Sequence, residues 1–272
     1  QRQMCIRDRQ TSIYNALRSS QSSSPYYNKS TDAYCYIGTE KPNHDVVIVG
    51  WDDSYSKDNF NTDLEGDGAF ICQNSWGDNF GENGFFYISY YDTNIGTHNV
   101  VYTDIENTDN YDHIYQSDLC GWVGQLGYNK DSIYGANVFT AEGNETLKAA
   151  SFYATGKDSQ YELYVVRQFE DETSLEKMIP VASGKLGNAG YYTVDFNQGI
   201  EVDAGERYAV VLYIITPGSV HPMAIEYAAD EATENVDLDD GESYISANGS
   251  KWVSVDTVEK SNLCIKAFSD NR

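Results

Sequence analysis

The chain is short of basic residues: 18 Lys and Arg stand against 42 Asp and Glu, for a formal charge of −24. So few cations could not neutralise a run of phosphates, which excludes nucleic acid and an anionic membrane surface as partners. Long apolar runs are also missing, so no segment is suited to span a membrane. Histidine and cysteine are scarce, at four and five. None of them has the short spacing of a metal site, so neither a metal nor a cofactor is expected. Lysine and proline are few as well. Tyr, Asn, Ser, Thr and Gly are abundant instead, and aromatics reach 14%, ample for a core. This composition, common in secreted β-rich bacterial proteins, points to an extracellular or cell-surface location.

The opening string Gln1-Arg2-Gln3-Met4-Cys5-Ile6-Arg7-Asp8-Arg9 has no periodicity and clashes in composition with the rest of the chain. It resembles a translated sequencing-library adapter, and residues 1–10 are set aside from fold reasoning. Three arginines and one aspartate leave with them, moving the net charge from −24 to −26. Apart from Cys5, cysteines stand at 35, 72, 120 and 264. Four allow three disulfide pairings, and buried free thiols are an equally open reading.

The length suits two domains, with a break near residue 110. Ile13 to Leu17 reads as the end of a helix and Ser19 to Ser24 as a polar loop. Val46 to Trp51 is a continuous apolar run suited to a buried strand. Ala69 to Cys72 and Phe85 to Tyr91 are further strand candidates, and the acidic loop between Trp51 and Ala69 is expected to be exposed. After the break, ten segments alternate apolar and polar residues between Gly, Asn and Asp turns: 136–139, 147–154, 161–166, 181–186, 191–196, 207–215, 224–227, 243–246, 252–255 and 264–268. That is the pattern of an antiparallel β-sandwich or jelly roll. The fold expected is therefore mainly β, with 11–106 and 107–272 as its two domains.

Two segments carry chemistry. The first is Asn43-His44-Asp45-Val46-Val47-Ile48-Val49-Gly50-Trp51-Asp52. The second is Cys72-Gln73-Asn74-Ser75-Trp76-Gly77, running on to Gly81-Glu82-Asn83-Gly84-Phe85. Together they resemble the histidine and asparagine strands of papain-family cysteine peptidases. The region after residue 107 resembles the lectin-like β-sandwich that follows the catalytic domain in a prokaryotic group of them. The first domain would then be the β-rich lobe of the α+β papain fold.

The resemblance implies a protein or peptide substrate and a carbohydrate partner for the sandwich. It assigns His44 as general base, Asn74 as the group orienting its ring, and Trp76 as a shield against water, with Asn43 and Phe80 supporting the site. That family's nucleophilic cysteine lies about 130–150 residues before the His and Asn, whereas 43 residues precede His44. The nucleophile and the oxyanion glutamine are thus expected upstream, and the chain alone is expected to be inactive. Cys72 reads as a small buried hydrophobe.

Several positions depart from the family pattern. Asp45 replaces a small apolar residue, Phe80 replaces a second tryptophan, and the polar stretch Arg18 to Pro25 occupies the place of an apolar strand. Asp45 and the missing strand favour an alternative, a non-catalytic adhesion or glycan-binding protein on a protease-like scaffold. The run Asp237 to Glu242 lacks the spacing of a calcium loop and reads as a solvated acidic turn. Trp122, Tyr191, Tyr192 and Trp252 are candidates for stacking on sugars or for filling the core.

Overall fold

The computed structural model describes residues 24–40, 42, 44–97, 99–102, 106–230 and 233–272, and the backbone of 4–6; of residues 99 and 256 it also describes the backbone alone. The helix expected at Ile13 to Leu17, most of the polar loop before Ser24, and Asn43 and His98 lie outside the described residues. The chain divides into two compact units, Gln1–Glu106 and Asn107–Arg272.

Among the described residues, the first unit is built on a seven-stranded sheet. In chain order its strands are β1 (Met4–Ile6), β2 (Tyr27–Asn28), β3 (Ala33–Tyr34), β4 (Val46–Asp52), β5 (Ala69–Gln73), β6 (Phe85–Ser89) and β7 (Asn99–Val101). Their order across the sheet is β2-β3-β6-β5-β4-β1-β7, antiparallel except between β3 and β6. The segment Met4–Ile6, set aside on composition, takes the place between β4 and β7.

Alternation along the strands sends residues to two faces. One face buries Val46, Ile48, Cys72, Phe86 and Ile88 with Tyr27, Tyr34 and Tyr36. The other buries Ala33, Cys35, Phe60, Leu64 and Ala69. Fully burying side chains such as Phe86 and Ile88 contributes about 1.5–3 kcal/mol each.

Two expectations change here. The run Val46 to Trp51 is buried only in its first half. The β4/β5 register shifts between Ile48 and Gly50, and beside this bulge Val49 and Trp51 are 42% and 68% exposed. The acidic loop between β4 and β5 is not free in solvent throughout. Phe60 and Leu64 are buried, and Asn61 Nδ2 donates to the carbonyls of Ser24 (2.8 Å) and Tyr27 (3.0 Å). Asn28 Nδ2 and Thr31 Oγ1 donate to the Asn59 carbonyl at 2.8 and 2.7 Å.

The second unit is all β. Its strands are β8 (His113–Tyr115), β9 (Gly124–Leu126), β10 (Ser132–Thr140), β11 (Glu145–Ala154), β12 (Ser159–Val166), β13 (Ile179–Leu186), β14 (Gly190–Val202), β15 (Arg207–Ile215), β16 (Met223–Glu226), β17 (Glu242–Ser246), β18 (Val253–Ser254), β19 (Asn262–Leu263) and β20 (Ile265–Asn271). They form sheets ordered β13-β12-β15-β10-β17-β18, β14-β11-β20-β8 and β19-β16-β9, antiparallel in every pair among the described residues. Leu147, Phe152, Leu163, Leu212, Ile214, Ile245 and Ile265 are among the side chains of its main core.

Polar side chains tie this core across sheets. Buried Asn137 on β10 donates through Nδ2 to the carbonyls of Leu263 (2.9 Å) and Ile265 (2.8 Å) and accepts from Ser243 Oγ at 2.7 Å. Buried Glu145 accepts from Ser269 Oγ (2.6 Å), Tyr115 OH (2.7 Å) and the Gly143 amide (2.7 Å). Burial alone would raise this carboxyl, but those donors outweigh it and hold it below the ordinary carboxylate range.

Candidate active site

His44 lies two residues before β4 and Asn74 directly after β5. Because Val47 pairs with Gln73 and Ile48 with Cys72, the ladder brings both residues to the same end of this strand pair. Asn74 is two positions beyond Cys72, so it shares the Cys72 face, and it is 6% exposed. Its amide N–H donates to the Gly84 carbonyl at 2.9 Å.

The two side chains meet, with His44 Nε2 2.9 Å from Asn74 Oδ1. The Ser75 backbone N–H, which can only donate, also points at Oδ1 at 2.8 Å. That contact orients the amide with its oxygen toward the histidine, so Nε2 is the protonated nitrogen and Nδ1 carries the lone pair. A neutral imidazole held in this tautomer can take a proton at Nδ1. Asn74 Nδ2 is buried with no hydrogen-bond partner among the described residues.

Trp76 lies beside the pair, its ring 5.0 Å from that of His44 and tilted by 36°. Phe80 stands edge-on to Trp76 at 5.3 Å and to Phe86 at 5.4 Å, and Tyr27 stacks on it at 6.1 Å. An aromatic column thus runs from the histidine into the core and fixes the Trp76 ring.

The loop behind it is closed by bonds from Phe80 N to Gly77 O (3.2 Å) and from Gly84 N to Phe80 O (2.7 Å). Gly81 has a φ of +54°, and a Cβ there would sit 2.1 Å from the Phe85 carbonyl oxygen. Only glycine fits. His44, Asn74, Trp76 and Phe80 are therefore brought together, while Asn43 is outside the described residues. Asp45 is half-buried.

None of the described cysteines is placed as an activated nucleophile. Cys72 is fully buried within the core. Burial, with the Asp92 carboxylate second, pushes the Cys35 thiol up to about 12. Cys264 is raised by burial and by Asp118, and Cys120 by desolvation and by Glu226. All four are free thiols. A thiolate nucleophile requires the opposite shift.

In the second unit, Ser117 O, Asp237 O, Glu226 Oε2 and Asp240 Oδ1 surround Asn262 Nδ2 at 2.8, 2.9, 3.0 and 3.3 Å. An amide nitrogen occupies the centre of this oxygen cage, and no cluster of three or more His, Cys, Asp or Glu set to hold a metal occurs among the described residues. Sequence reading missed the cage because Glu226, Ser117 and Asn262 are far apart in the chain. His113 is bonded to Asn271 Oδ1 at 2.9 Å, a local role. Of the aromatic candidates, Trp252 packs against an inner cluster, whereas Tyr191 is 45% exposed.

Residues 8–105 match the family model for papain family cysteine protease, and residues 114–269 match that for a lectin like domain. No curated protein is a match. Among solved structures, the cysteine protease and lectin-like domains of Cwp84, a surface layer associated protein of Clostridium difficile, share 25% identity with a TM-score of 0.74. That match covers 100% of this chain and 59% of the other. Clostridial Cwp84 after propeptide cleavage, carrying a cysteine-to-alanine change, gives 28% identity and a TM-score of 0.77 over 99% of this chain and 71% of the other.

Proposed function

The chain belongs to the papain-family cysteine proteases that carry a lectin-like domain, and from that premise we propose that residues 11–106 supply the histidine and asparagine half of a peptide-bond hydrolysing site. The observation that carries this reading is the His44–Asn74 bond beside Trp76. Asn74 fixes the tautomer, Trp76 limits water access to the bond, and His44 Nδ1 accepts the proton of a cysteine thiol. The resulting thiolate attacks the peptide carbonyl, and the imidazolium returns the proton to the leaving amine. The thiol comes from none of the four described cysteines, and the oxyanion is met by a side chain outside the described residues.

Activity therefore requires a thiol-bearing lobe joined to this unit. The purified 272-residue chain should leave fluorogenic peptides uncut, and a chimera with the thiol-bearing lobe of a Cwp84-type protease should cut them. His44→Ala should abolish that cutting. Turnover by the 272-residue chain that is blocked on alkylating Cys72 or Cys120 would overturn this assignment.

The second unit binds carbohydrate and holds the protease at a cell surface. The lectin-like match and the surface-layer association of Cwp84 support this reading.

A further inference from the structure

The β14-β11-β20-β8 sheet presents one face to the core and an outer face away from it. Leu147, Ala150 and Phe152 of β11 and Ile265 and Ala267 of β20 enter the core. Their alternates Ser151, Tyr153, Lys266 and Phe268 therefore face outward. Strand pairing sets these beside outward residues of β14, with Tyr191 opposite Tyr153, Thr193 opposite Ser151 and Asp195 opposite Ala149.

Tyr191 does not stand up from the sheet. Its hydroxyl donates to Ser151 Oγ at 2.6 Å, two residues along the neighbouring strand, so the ring is laid down along the surface with one face to solvent. Tyr153 supports it at 5.0 Å, and Trp122 supports Tyr153 at 5.8 Å. Four residues further along β14, about 13 Å away at strand rise, a second, half-buried tyrosine is likewise pinned by its hydroxyl. The Tyr111 hydroxyl donates to Asp195 Oδ1 at 3.0 Å and its ring lies 4.9 Å from Phe268. Exposed Thr193 lies between the two platforms.

We propose that this face is a glycan-binding surface on which Tyr191 and Tyr111 stack successive parts of a neutral, β-1,4-linked pyranose chain. The proposal rests on the carbohydrate reading of the second unit and gives it a place and a ligand class. Hydroxyl-pinned tyrosines offer broad apolar faces at little entropic cost. A β-1,4 chain is a flat ribbon that presents its ring faces to an open sheet, whereas α-linked chains curve away.

Charge selects against acidic polymers. Lys266 is engaged by Asp118 Oδ1 at 3.3 Å and Gln116 Oε1 at 2.6 Å, and Lys148 by Asp270 at 3.8 Å. Neither lysine is left over for a carboxylate or sulfate ligand.

The test is calorimetric titration of the full 272-residue chain with cellotetraose, chitotetraose and, as a curved control, maltotetraose. Cellotetraose or chitotetraose should bind more tightly than maltotetraose. Tyr191→Ala should weaken binding about tenfold, the worth of one aromatic stack, and should still unfold in one cooperative transition, at a somewhat lower temperature because the bond to buried Ser151 is lost, while Tyr191→Phe stays within about threefold of the parent. A β-linked tetraose that binds Tyr191→Ala as well as the parent overturns this face while the carbohydrate reading survives. Preference for maltotetraose overturns the ligand class. Binding of none of the three overturns the proposal, while the carbohydrate reading falls only if a wider glycan array is also left unbound.

Discussion

Replacing Asn74 by alanine tests the dyad without any need for a nucleophile. The parent histidine is held with its proton on Nε2 because Asn74 Oδ1 accepts there at 2.9 Å. One such bond is worth about 1 kcal/mol net, which at RT of about 0.59 kcal/mol is about a fivefold bias in the tautomer ratio. The variant loses that bias and the bond from Ser75 N, together about 2 kcal/mol. It also removes a buried, unpaired Nδ2 donor, whose burial costs about 1–3 kcal/mol. The two effects oppose each other, so global stability should change little. Nitrogen-15 shifts of the neutral His44 ring, read at alkaline pH, should show mostly Nε2–H in the parent and a more even population in Asn74→Ala. An unchanged ratio would refute the argument that Asn74 orients the ring.

Three further outcomes are expected. Trp76→Ala should speed solvent exchange of the His44 Nε2 proton and cost about 2 kcal/mol in denaturant melts, below the roughly 3–5 kcal/mol of a fully buried ring because Trp76 is half-buried. Asn137→Leu strips donors from two carbonyls and an acceptor from Ser243; a loss of about 3 kcal/mol or more in urea unfolding of the second unit is expected. Glu145 has a depressed folded pKa, so its contribution is present above the unfolded carboxyl value and is lost as pH falls through the folded one. Melting temperature followed downward from about pH 5 should therefore fall less steeply in Glu145→Gln than in the parent.

His44, Asn74 and Trp76 were legible because their chemistry sits in two short contiguous motifs, and the ladder between β4 and β5 is local enough to bring them together. The long strands of the second unit were legible from alternation, as at Arg207–Ile215. The two- and three-residue strands β8, β9 and β19 carry too few alternations to register. The bulge that exposes Val49 and Trp51 leaves no trace in an apolar run. Asn137, Glu145, Glu226 and Asn262 belong to residue types usually found in solvent. Their burial follows from partners supplied across the sheets, from as far as 145 residues away between Asn262 and Ser117.

The stitched loop between β4 and β5 bears on survival among proteases. A protease reads its substrate as an extended strand, and long polar loops are where folded proteins are nicked first. Here the turn around Asn59 to Leu64 is buttoned to the segment 24–31 by side-chain bonds and two buried apolar anchors, so it cannot be drawn into a cleft without local unfolding. A chain exposed to proteases would be spared its most obvious cut, one that would sever the histidine strand from the asparagine strand.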